Sequence, residues 1–157
     1  MSTSPLVPKT AVVLIDPYND FLHPEGKLYP AIGESLAATD TVSHLKKLVT
    51  AAREFHIPIY YGPHQTSFAN TDLDYELHQR EITHLVMTDL VANTCLETTA
   101  RYARELGYHV TLLTDGTAGF TIAVKDAAVN LIWPQITDRV MTVGEWVSTV
   151  KKDVSEK

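Results

Sequence analysis

Four short apolar runs punctuate the chain: AVVLID (11–16), IPIYYG (57–62), HLVMTD (84–89) and HVTLLTD (109–115), with a weaker fifth, RVMTV (139–143). Each is rich in Val, Ile, Leu, Tyr or Thr and alternates little, the pattern of strands buried on both faces. Between them the period changes to that of a helix. Val42, Leu45, Leu48, Val49, Ala52 and Phe55 follow i, i+3, i+4, i+7 spacing. Leu96, Ala100, Ala103 and Leu106 do so again and stop at Gly107, a C-terminal signal. Ile122 to Trp133 predicts a third helix, with Thr121 as N-cap and Pro134 as its end. Residues 70–82 predict a shorter one, and the charged tail KKDVSEK is expected to fray.

Strand and helix alternate, so the predicted class is α/β, three-layer α/β/α with a mainly parallel sheet. In such sheets ligands bind beyond the carboxyl ends of the strands. Asp16, Asp89 and Asp115 close three of the apolar runs, and Cys95 follows the third.

At 157 residues the chain is expected to form a single domain, 1–157. Its formal net charge of −6 and lack of a Lys/Arg-rich run argue against a nucleic-acid partner. No apolar run is long enough for a membrane span, and the start does not read as a signal peptide. A lone cysteine excludes an intramolecular disulfide and suits a reducing, cytoplasmic setting.

Thr94-Cys95-Leu96-Glu97 has the T-x-x-E form of a capping box. With Thr94 as N-cap, Cys95 is the first helical residue, where free N–H groups and the helix dipole favour a thiolate and can hold an oxyanion. The alternative is a small core cysteine. Asp16 ends the first strand, where a carboxylate can take the thiol proton and return it to a leaving amine. Its alternative role is to start a turn at Asp16-Pro17.

These residues resemble the isochorismatase-like cysteine hydrolase superfamily. VVLIDPYNDF (12–21) is similar to its opening V-x-D-x-Q/N-x-D-F motif, and DLVANTCLETTARYARELGYHVTLLTDGTAGF (89–120) to its cysteine motif. The likeness covers residues 10–60 and 67–147. It implies a Rossmann-like parallel sheet of order 3-2-1-4-5-6 and hydrolysis of an amide, or of an isochorismate-type vinyl ether, by an Asp, a Lys and usually a Cys. It further implies Cys95 as nucleophile, Asp16 as base and acid, and an oxyanion hole from the N–H groups of Val91 and Cys95. A cis peptide at Leu90-Val91 and no cofactor are also expected. Tyr18 and Phe21 are expected against the substrate, with core packing as their alternative.

Two departures from the family pattern stand out. Its Gly six residues before the Cys is Asp89 here, adding like charge near Asp16. Its third strand, with the catalytic Lys, is missing: YYGPHQT (60–66) runs directly into SFANTDLD (67–74). The expected order is then 2-1-4-5-6, with strand 2 an edge that needs covering by the 63–75 loop or by another subunit of a homo-oligomer. Lys27 is the nearest substitute in sequence, its alternative being a solvated loop residue. Activity is accordingly expected to be weakened. The seven His lack metal-ligand spacing, and His64, in the pocket or an ordinary loop, has no acidic partner; no metal is expected. Two competing readings are an inactive member kept as a binding module, and an Asp16–Asp89–Asp115 cluster for Mg²⁺ or a phosphoryl group. Trp133 and Trp146 read as core or interface.

Overall fold

The computed structural model describes residues 9–62 and 67–156. Five strands, β1 (Thr10–Ile15), β2 (Ile59–Gly62), β3 (His84–Asp89), β4 (His109–Thr117) and β5 (Arg139–Met141), form one sheet of order β2-β1-β3-β4-β5. Every pairing is parallel. In the family numbering this is the 2-1-4-5-6 arrangement, with no strand outside β2 among the described residues.

The two faces of each strand explain the layers. Ala11, Val13 and Ile15 of β1, with Leu85 and Met87 of β3, pack on α4 (Leu73–Gln79), α5 (Glu97–Glu105) and the buried Trp133. Val12, Leu14 and Val86 face the other way, onto α3 (Thr41–Glu54) and α8 (Val143–Ser155). Both faces are buried, so the strands need no polar alternation. A third cluster caps the carboxyl edge: Ile32 and Leu36 of α2 (Tyr29–Ala38) pack on Leu90, Val91 and Ala118, with Phe21 and Leu22 beside the short α1 (Asn19–Leu22).

Gly62 ends β2 in close packing. A Cβ there would lie 2.3 Å from Ser67 Oγ and 2.7 Å from Ile15 Cδ1. The Ser67 and Ile15 side chains therefore occupy the space where a side chain at 62 would stand, and they must shift to admit one.

Several elements differ from expectation. α2 carries Pro30 in its first turn, where the missing N–H costs no helical bond. α8 extends through Ser155 instead of fraying. A capping box of Thr142 and Glu145 starts it, and Val143, Trp146, Val147 and Val150 bury one stripe. The third predicted helix is three pieces: α6 (Ile122–Ala127), a π turn (Ala128–Ile132) and α7 (Trp133–Ile136). Thr121 caps it as expected, through Val124 N–H. Pro134 does not end it. The π turn breaks the regular ladder just upstream, so the proline falls at the start of a new turn.

Candidate active site

β1 and β3 are adjacent and parallel, with Ile15 in register with Asp89. The chain therefore leaves both strands at one edge of the sheet. Asp16 follows Ile15 with φ 54°, and its backbone is tied by its own N–H to Gly62 O (3.1 Å) and by Tyr18 N–H to its carbonyl (2.7 Å). Its side chain is buried. Asp89 ends β3 with φ 104°, a conformation that favours glycine. It too is buried, and neither carboxylate oxygen has a hydrogen-bond partner among the described residues. Burial, and then the neighbouring Asp16 carboxylate, push the Asp89 carboxyl well above the usual carboxylate range.

Past Asp89 the Leu90-Val91 peptide is cis, as the resemblance implies. Leu90 N–H donates to Ile15 O (2.9 Å) and Ala92 N–H to Ala118 O (2.9 Å), which ties the turn to β1 and to the end of β4. The helix then begins earlier than the T-x-x-E pattern predicts. Val91 is the N-cap of a π turn, Ala92–Leu96, that leads into α5. Thr94 lies inside that turn, its hydroxyl 3.9 Å from Cys95 Sγ. Glu97 pairs with Arg101 at 3.1 Å instead of reaching back to a cap. The expected Thr94–Glu97 capping box is therefore absent. Cys95 stays in the first turn, half-buried, and its carbonyl accepts from Thr99 Oγ1 (2.7 Å).

Phe21 is half-buried in the cluster that contains Val91, whereas Tyr18 is exposed. Lys27 is exposed and makes no ion pair with Asp16 or Asp89 among the described residues. His64 lies outside the described residues.

Asp115 does not join the carboxylate pair. It accepts from Val143 N–H (2.7 Å) and meets His44 Nε2 at 3.3 Å, fastening α8 and α3 to β4. The three-aspartate cluster is thus replaced by a pair and a helix anchor. No group of three or more metal-ligating side chains occurs among the described residues. Sequence reasoning passed over one buried cation, Lys125 of α6, a helix that packs on the π turn. Burial lowers its pKa, while Asp126 and Asp115 raise it. No pattern in the sequence marks it; its burial comes from close packing against Gly119, where a Cβ would sit 2.9 Å from Lys125 Cβ.

The isochorismatase domain family matches residues 63–145. An uncharacterized isochorismatase family protein, YwoC of Bacillus subtilis (strain 168), is 34% identical over 85 residues, 54% of this chain and 44% of that protein. The ureidoacrylate amidohydrolase RutB of Enterobacter sp. (strain 638) is 38% identical over 90 residues, 56% of this chain and 35% of the relative. The matched part thus spans less than half of either curated relative. Among solved structures, a cysteine hydrolase from Pseudomonas syringae pv. phaseolicola 1448A superposes with a TM-score of 0.80 at 21% identity, covering 96% of this chain and 95% of that one. That likeness shows the three-layer fold.

Proposed function

The chain belongs to the isochorismatase family, and from that membership we propose that it is a small-molecule hydrolase with Cys95 as nucleophile and Asp16 as general base and acid. The observation that carries this reading is the parallel pairing of β1 with β3, which sends Asp16 and the turn holding Cys95 out of the same sheet edge. Asp16 takes the thiol proton; the thiolate attacks a carbonyl carbon; the N–H groups of Val91 and Cys95 hold the resulting oxyanion. The proton returns to the leaving amine, and water then cleaves the thioester. These steps apply to a small amide, in keeping with the amidohydrolase name of one relative; an isochorismate-type vinyl ether is the other substrate class and passes through no thioester. In this reading Phe21 and Tyr18 contact the substrate.

A second reading, a family member kept for binding alone, is favoured by Asp89. A buried carboxyl stands where the family has Gly, and no cation offsets it among its electrostatic neighbours. Turnover on a panel of small amides separates the two. Hydrolysis lost in both Cys95→Ser and Asp16→Asn supports the first; binding without turnover supports the second.

Residues from Thr10 to Ser155 contribute to the sheet and its helical layers, which supports treating 1–157 as one domain. Strand β2 presents an edge with Tyr61 59% exposed, a surface suited to self-association into a homo-oligomer. No helix among the described residues is long and apolar enough to cross a membrane. A cytoplasmic setting belongs to the same proposal, supported by a single thiol that suits a reducing compartment.

A further inference from the structure

We propose that a cavity at the amino edge of the sheet, remote from Cys95, binds a small organic monocarboxylate, with His84, His109 and Arg139 holding its anionic end. The cavity measures about 250 Å³, room for one ring-sized body. Thr10, His84 and His109 open β1, β3 and β4, and adjacent strands pair them in register. The whole of β3 separates His84 from Asp89, so this site and the proposed catalytic edge lie at opposite ends of the sheet.

The walls divide by chemistry. Val86, Met141, Trp146 and Val150 supply apolar surface between the sheet and α8. The rim carries two imidazoles stacked at 4.6 Å between centroids and 23° between planes. The Nδ1 atom of each is already engaged: His84 with Thr83 Oγ1 at 2.9 Å, His109 with Asp138 Oδ1 at 3.5 Å. Each Nε2 lacks a hydrogen-bond partner among the described residues. Arg139, on the same rim, has no ion pair among them either. An apolar body beside the Arg139 guanidinium and two imidazole Nε2 atoms that become donors on protonation is the complement of an organic anion.

The remaining charges set the sign. Lys9 adds to the positive potential at His84, whose pKa is lowered by burial first and then by His109, Arg139 and Lys9, against Asp138. Asp138 is committed to Arg104 Nη1 (2.7 Å) and Val110 N–H (2.7 Å), which with His109 hold its carboxyl below the usual range despite burial. Asp153 of α8 lines the same cavity without an ion pair among the described residues, so a second negative charge on the ligand is disfavoured. A bound carboxylate adds a second negative charge to that of Asp138, which already serves Arg104 and His109, so binding favours the protonated imidazoles, takes up a proton and tightens as the pH falls.

The test is NMR titration of the imidazole resonances with benzoate. Saturable shifts of His84 and His109 are expected, with affinity rising several-fold from about pH 8 to about pH 6. Arg139→Gln should weaken binding roughly tenfold. Asp153→Asn should tighten it, and phthalate, a dianion, should bind less well than benzoate. Shifts that never saturate, shifts confined to residues around Cys95, or an affinity indifferent to both pH and Arg139 would each overturn the proposal.

Discussion

Asp16 and Asp89 end two neighbouring parallel strands one register step apart, with both side chains buried and Asp89 raised well above the usual carboxylate range. Asp89 therefore holds its proton to higher pH in the folded chain than in the unfolded one. Above the ordinary carboxylate range the unfolded state binds fewer protons than the native state, so this group makes stability fall as pH rises toward its folded pKa.

Asp89→Gly removes that slope and relieves a φ of 104°. We expect the variant to be more stable at pH 7 by roughly 1–3 kcal/mol, the usual penalty for a buried unsatisfied polar group. The gain should shrink toward about pH 4, where the unfolded carboxyl is also protonated. Urea unfolding at both pH values checks this.

The same substitution bears on activity. Once Asp89 ionises, a second negative charge sits beside Asp16, and a charge at contact distance opposes a nearby thiolate by up to several kcal/mol at an effective dielectric of about 20. Turnover of any amide hydrolysed by the chain should rise in Asp89→Gly, and the gain should grow with pH. A pH–rate profile of the two proteins measures it.

Lys27→Ala should leave turnover unchanged, since this exposed side chain pairs with neither carboxylate among the described residues. A large loss would make Lys27 the missing cation.

Gly62→Ala should destabilise the fold by about 1–3 kcal/mol, the range for overpacking. The new methyl would lie 2.3 Å from Ser67 Oγ and 2.7 Å from Ile15 Cδ1. Denaturant midpoints of Gly62→Ala with and without Ser67→Ala separate the two contacts, and the double variant should recover part of the loss.

The strands were legible because each is a short apolar run, buried on both faces in β1 and most of β3 and partly exposed in the edge strands β2 and β5; the positions of Asp16 and Cys95 just past β1 and β3 were legible from the strand ends. What stayed hidden depends on tertiary context. The T-x-x-E pattern at 94–97 suits a cap, yet the turn anchored by Ala92 N–H to Ala118 O starts the helix three residues sooner. α8 escaped notice because its β-branched residues and Gly144 weaken helix propensity, which packing of Trp146 and Val150 on the sheet overrides. Asp115 looked like its two fellow aspartates until its bond to Val143 N–H separated it from them.

The central claim, a Cys95 nucleophile activated by Asp16, is tested most directly by intact-mass measurement after brief incubation with an activated acyl ester such as p-nitrophenyl acetate. One acetyl adduct is expected, mapped by peptide mass to Cys95, absent in Cys95→Ser and formed at least roughly a hundredfold more slowly in Asp16→Asn, the lower end of a general base's contribution. An adduct on another residue, or equal rates with and without the Asp16 carboxylate, would contradict it.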